Sequence, residues 1–234
     1  MSGIEGPVLA LDSSTQGGSV AIGIDGRVAA EVRIDAGRGA SSLLMPAVDE
    51  AVRRAGLVPR DLAAVVVGGG PGSFTGLRIA AATAKAAVRA LGIPLFAYSG
   101  LAGAAAALRG AGRPICAMFD ARNREVFAGC WRFDEGRVEE VLAPVILPVE
   151  AVLARVRDEA PIFTGDGAAL HRATIEQAFG AGAVVEPADE SVAAGLLWLA
   201  RAAPEPGRVA SPAAWEPEYL RASGAERIAA ARTP

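Results

Sequence analysis

Residues 68–76 read Gly-Gly-Gly-Pro-Gly-Ser-Phe-Thr-Gly, entered by an apolar run (63–67) and left by a long helical pattern (74–91). Glycines permit positive φ and close backbone approach, and a helix N-terminus presents unpaired N–H groups and the positive end of its dipole. The loop therefore reads either as an anion cradle, with Gly70, Gly72 and Ser73 on the phosphate, or as a sharp strand-to-helix turn. No Gly-Lys-Ser/Thr closes it, so it is not a Walker loop.

A second candidate ends the first apolar run, 8–12. Asp12 there can hold magnesium or act as a base, with Ser13, Ser14 and Thr15 touching phosphate. Alternatively, its carboxylate takes backbone N–H bonds in the tight turn to Gly17-Gly18. Asp166, in Gly165-Asp166-Gly167 at a strand-to-helix junction, reads as a helix N-cap or as a second candidate carboxylate. His171 is the sole histidine and reads as a surface residue. No His, Cys and acid set has metal-ligand spacing, and no Gly-X-Ser-X-Gly elbow supports a Ser-His-Asp triad. Cys116 and Cys130 lie equally far from Asn123, which brings them together across a hairpin as small buried thiols.

The elements that position these residues follow from pattern. Strands are expected at 8–12, 17–24 and 27–34, the last two flanking the Asp25-Gly26 hairpin signal. A helix capped by Ser41 or Ser42 runs to about Ala55, then a strand at 62–67 and a helix at 74–91. After a short strand (95–98) and an Ala-rich helix, the order repeats. Strands at 114–119, 125–133 and 137–142 follow, the last after the turn Asp134-Glu135-Gly136. Then come a helix at 149–158, a strand at 161–164 and a helix at 168–179. A last helix (191–202) precedes a Pro-rich segment, an extended Glu218-Tyr219-Leu220-Arg221 and a frayed end.

Two βββαβα units define an α/β fold of actin-like, Hsp70-like architecture, with residues 1–105 as the N-terminal lobe and 106–234 as a reduced C-terminal lobe. In that architecture the first hairpin of each lobe faces nucleotide phosphates, the position of Asp12 in the first lobe.

The 74–91 helix is apolar or small over most of its circumference. Leu77, Ala81, Ala84, Val88 and Leu91 share one face. Gly76, Ala80, Thr83 and Ala87 form a second, small face that either packs within the chain or meets a partner. Leu43 points away from the core face of the preceding helix.

With 52% hydrophobic residues in 234, a substantial core is expected, and no apolar run approaches the ~20 residues of a membrane span. Residues 1–7 carry an acid and no basic segment of the signal-peptide kind. A net charge of −3 argues against a chain that grips nucleic acid alone. Two cysteines are too few for a disulfide framework, which points to the cytoplasm.

The run Gly70-Pro71-Gly72-Ser73-Phe74-Thr75-Gly76-Leu77-Arg78-Ile79 resembles the signature of the bacterial TsaB (YeaZ) family. Leu9-Ala10-Leu11-Asp12-Ser13-Ser14, Asp120-Ala121-Arg122 with Glu125-Val126-Phe127, and Tyr219-Leu220-Arg221 agree with it. So does Ser42-Leu43-Leu44 with Pro46, and the likeness spans essentially the whole chain. It implies a non-catalytic scaffold subunit of the machinery that makes N6-threonylcarbamoyladenosine (t6A) in tRNA. Such a subunit pairs with the transferase TsaD, is joined by the ATPase TsaE and meets tRNA only within the complex; without TsaD, the small helix face is expected to pair two copies about a two-fold axis. The resemblance implies neither catalytic residue, metal nor cofactor here. The small face of the 74–91 helix, with the outer side of the first helix near Leu43, is the expected site for that partner. TsaD carries a His-x-x-x-His metal pair. Ala97 and Leu101 stand at the corresponding positions here, and neither can coordinate. Asp12, Ser13, Ser14, Gly70, Gly72 and Ser73 remain candidates for weak nucleotide contact. The rival readings are an ATP-dependent phosphotransferase built on Asp12 and a glycoprotease-like peptidase.

Overall fold

The computed structural model describes residues 4–15, 17–34, 40–134, 136–185 and 191–221. The turn expected at Glu135 and the end expected to fray lie outside them; Ser41 and Ser42 fall inside the helix Ala40–Arg54, which starts before them, so neither is its N-cap as expected.

Strands β1 (Val8–Asp12), β2 (Gly18–Ile24), β3 (Arg27–Ile34), β4 (Ala64–Gly68) and β5 (Leu95–Tyr98) form one sheet in the order β3-β2-β1-β4-β5. β1 runs antiparallel to β2 and parallel to β4, which is parallel to β5. Every residue of β1 and of β4 is buried, as expected of strands covered on both faces. Side-chain alternation sends Leu9 and Leu11 to one core, and Val8 and Ala10 to another. Asp25 (φ 50°) and Gly26 (φ 76°) turn the β2–β3 hairpin with the paired positive φ of a tight hairpin turn.

Helices α1 (Ala40–Arg54) and α2 (Phe74–Leu91) cover the Leu9 and Leu11 face. Ser73 caps α2 by accepting the Gly76 N–H at 3.3 Å, and Gly92 at φ 70° ends it.

The second sheet contains β6 (Ile115–Asp120), β7 (Glu125–Asp134), β8 (Arg137–Pro148) and β9 (Ile162–Thr164), in the order β8-β7-β6-β9. It is flanked by α4 (Val149–Arg155), α5 (Asp166–Leu170) and α6 (Arg172–Phe179). Among the described residues it has four strands against five in the first, so the second lobe is the reduced one. Most boundaries shift by a residue or two from the sequence expectation, and three elements differ in extent or continuity. β8 runs on to Pro148, its pairing with β7 shifting register around Cys130. The helix expected at 149–158 stops at Arg155, and a 3-10 turn at Arg157–Glu159 follows. The helix expected at 168–179 begins earlier and breaks at His171, whose φ of −103° belongs to neither half.

Between the sheets lie α3 (Gly100–Ala106) and α7 (Val192–Ala202), followed by the single turn α8 (Pro204–Gly207). Leu101, Ala105, Leu196 and Leu199 join Val66 of the first sheet and Ile115, Phe119 and Trp131 of the second in one core. A Cβ on Gly195 would fall 1.9 Å from the Gly103 carbonyl oxygen, so this helix crossing requires glycine. The expected 105/106 boundary falls inside α3, before its last residue, Ala106. Beyond residue 191 the chain returns to the first sheet: α7 packs on β1 and β2, and Val209 donates its N–H to Leu95 at 3.0 Å. Two facing sheets of βββαβα order form the two-lobed, actin-like α/β fold.

Candidate functional site

β1 delivers Asp12, Ser13 and Ser14 to its C-terminal end, beside the β4 exit. All three are buried, at 1, 1 and 2% exposure, which decides what they can reach. The Ser14 hydroxyl donates to the Asp12 carboxylate (2.8 Å to Oδ1, 2.9 Å to Oδ2) and the Ser14 N–H to Oδ2 at 3.1 Å. Burial, partly offset by these hydrogen bonds, pushes the Asp12 carboxyl from 3.8 up to about 6.

The glycines close around this turn. A Cβ would meet the Asp12 carboxylate at 2.0 Å from Gly68, the Ser14 carbonyl at 2.3 Å from Gly72, and the Ser14 hydroxyl at 2.8 Å from Gly100. The Ser73 N–H donates to the Ser14 carbonyl at 2.7 Å. Gly70, at φ 112°, packs on Glu218, where a Cβ would lie 2.3 Å from the carbonyl. Gly70, Gly72 and Ser73 thus make close contacts with the protein's own backbone, while Ser73 stays exposed and Gly70 borders a small cavity of about 170 Å³ with Tyr98, Ser99 and Glu218. Of the two readings of Asp12, the geometry is that of the carboxylate satisfied within its turn.

Asp166 opens α5 just after β9, matching the start of α2 after β4; the residue that ends the first strand of the second lobe, as Asp12 ends β1, is Asp120. Asp166 follows the cap residue, Gly165, rather than being the cap. Its carboxylate accepts the Asp120 N–H at 3.1 Å and the Gly167 N–H at 2.9 Å, tying α5 to the end of β6. Burial raises its pKa, opposed by those N–H bonds. Among the described residues no group of three His, Cys, Asp or Glu can hold a metal ion. Ala97 is half-buried on β5 and Leu101 fully buried in α3. Cys116 stands directly opposite Cys130 in the β6–β7 ladder, both buried and free.

The expected interface stripe divides. Thr83 and Ala87 are half-buried, as is Leu43. Ala80 is fully buried with Leu9, Val65 and Ala84. It lies ~60° around the helix from Leu77, inside the core arc. Gly76 is buried because α2 lies on the 13–14 turn: the Ser13 hydroxyl donates to its carbonyl at 2.7 Å. Gly76 and Ala80 are therefore corrected to internal positions. The outward small residues are Ala82, Ala86 and Ala90, and on α1 Met45 is 58% exposed.

Two features escaped the sequence reading. Residues 208–221 form a strap over β5, the glycine loop and α2. Tyr219 packs on Phe74 (5.1 Å between ring centroids), and Arg221 donates to the Ala121 carbonyl and pairs with Glu125. Their only signal was membership of separate family-like segments. A groove of about 720 Å³ also lies between the β2–β3 hairpin and α7, lined by Val28, Leu197, Trp198 and Arg201. It does not include Asp12.

The paired lobes, with an acidic turn ending the first strand, define a protein of the actin-like class. The family model described as "TsaD: tRNA N6-adenosine threonylcarbamoyltransferase" matches residues 34–226. The tRNA threonylcarbamoyladenosine biosynthesis protein TsaB of Bacillus subtilis is 33% identical over 74% of this chain and 76% of its own. Its Escherichia coli namesake is 33% identical over 60% of this chain and 64% of its own. A solved structure of YeaZ from Pseudomonas aeruginosa superposes with a TM-score of 0.76 at 30% identity, covering 92% of this chain and all of that one. The chain belongs to the TsaB (YeaZ) family, within the wider group described by the TsaD model.

Proposed function

We propose that this chain is the non-catalytic scaffold subunit of t6A synthesis on tRNA, binding and activating a TsaD-type transferase and helping to recruit a TsaE-type ATPase. The observation that carries the reading is the closed Asp12 turn. A phosphotransferase needs its carboxylate open to metal and phosphate, whereas here Gly68, Gly72 and Gly100 pack against the turn and Ser14 bonds both carboxylate oxygens. The names of the relatives supply the pathway, and the lack of coordinating side chains at Ala97 and Leu101 supports a subunit that leaves group transfer to its partner.

The docking surface is the outer side of α1 and α2: Leu43 and Met45 with Thr83, Ala86 and Ala87. Small side chains there let a partner helix approach closely. In the absence of TsaD the same surface pairs two copies of the chain about a two-fold axis. tRNA is met only within the complex, and the compartment is the cytoplasm. Reconstitution tests this. With threonylcarbamoyl-adenylate and tRNA, TsaD plus this chain should form t6A, and this chain alone should form none. Product from the chain alone, or TsaD activity indifferent to it, overturns the reading.

A further inference from the structure

The strap touches both lobes at points that sequence separates widely. On the first lobe, Glu216 pairs with Lys85 in the middle of α2 at 2.8 Å, and the Glu218 N–H donates to the Gly69 carbonyl at 2.7 Å. Gly70 gives up a Cβ to let the Glu218 carbonyl in, and Tyr219 lies on Phe74, the first residue of α2. Arg78 covers the same Phe74 ring, 4.2 Å from its centroid. Three residues beyond Glu218 the contacts change lobe: Arg221 is held by the Ala121 carbonyl and the Glu125 carboxylate. Both sides of that ion pair are largely shielded, at 21 and 34% side-chain exposure. A pair so placed is less screened than a surface one.

The receiving turn is itself unusual. Arg122, Asn123 and Arg124 all have positive φ (62°, 54° and 64°), a conformation non-glycine residues adopt at a cost and keep only when neighbours hold it. Arg221 grips the turn from both flanks, at Ala121 and Glu125. The Tyr219 hydroxyl is buried without a hydrogen-bond partner among the described residues. That is costly for a strap serving only as filler.

We propose that residues 215–221 form a latch between the lobes, coupling the 121–125 turn to the glycine loop and the first turn of α2. Because α2 carries the proposed docking surface, lobe geometry and partner docking are then linked; that second step rests on the scaffold reading. Cutting the latch at Arg221 leaves every first-lobe contact chemically intact, so a change there reports coupling rather than local damage.

The test is amide hydrogen exchange on the full chain, comparing wild type with Arg221→Ala, Arg221→Lys and Glu125→Gln. Expected is exchange about fivefold or more faster at amides of residues 69–78 as well as 121–126, with residues 149–179 unchanged and Arg221→Lys intermediate. Acceleration confined to 121–126 overturns the latch, and Glu125→Gln supplies the same comparison should Arg221→Ala not fold. TsaD affinity is measured on the same variants. A changed loop with unchanged affinity removes the link to docking. Failure of wild type itself to bind TsaD overturns the scaffold reading, while the exchange result still decides the latch.

Discussion

Ser13 and Gly76 hold each other at the start of α2. The Ser13 hydroxyl donates to the Gly76 carbonyl at 2.7 Å, while a Cβ on Gly76 would stand 1.8 Å from the Ser13 carbonyl oxygen. Contact between helix and turn is enough to require the glycine that ends the loop.

Gly76→Ala should therefore destabilise the fold by about 3 kcal/mol or more, since backbone on both sides leaves no soft atom to yield. Gly72→Val should do likewise against the Ser14 carbonyl. Urea denaturation followed by circular dichroism measures both. A variant within about 0.5 kcal/mol of wild type, the usual range of a surface substitution, would contradict the packing described.

Substitutions on α2 should separate core from surface. Ala80→Arg places a charge among Leu9, Val65 and Ala84 and should leave no cooperatively folded protein. Ala86→Arg and Thr83→Arg should melt within a few degrees of wild type yet weaken TsaD binding about 100-fold. Thermal melts and size-exclusion chromatography with TsaD read the two effects. Unchanged affinity in both folded variants would move the interface off α2.

Asp12 should leave a mark on pH dependence. Its folded pKa, about 6, lies above the ordinary 3.8, so between these values the native state holds the proton more tightly. Its contribution is full below about 3.8, falls as pH rises and levels off above about 6. Asp12→Asn removes the ionisation. Relative to wild type, the variant should gain about 2 kcal/mol between about pH 4.5 and about pH 7. A pH-independent difference would show that the carboxyl titrates normally.

Cys116 and Cys130 should react with a thiol reagent only as fast as the chain opens. The hydrogen bond with Cys130, then burial, pushes the Cys116 thiol well above its ordinary value. Labelling kinetics in rising urea check this, and rapid modification in native buffer would refute it.

The bounds of α2 were readable because Ser73 and Gly92 are a cap and a stop with local mechanisms. The facing cysteines were readable because strand pairing about a hairpin is a matter of counting. The inward turn of Ala80 was not. An alanine stripe offers no contrast in hydrophobicity, so core and docking face look alike until neighbours are placed. β8 was cut short at Leu142 because the register shift around Cys130 interrupts simple counting. The closed state of Asp12 depends on Gly68 and Gly100, both far away in sequence. The strap carries no periodicity, and its contacts join residues about a hundred positions apart.

The packing of α7 against β1 and β2 has a consequence for synthesis. The Val8 and Ala10 face of the first sheet shares its core with Leu196 and Leu199, so β1 is covered by a helix that is made long after it. At roughly 5–20 residues per second, the nascent N-terminal half waits on the order of ten seconds with an apolar face uncovered. It cannot close its own core on the ribosome. A lobe whose early strand is covered on that face by α7 makes termination before residue 192 a source of sticky fragments rather than of a smaller folded protein.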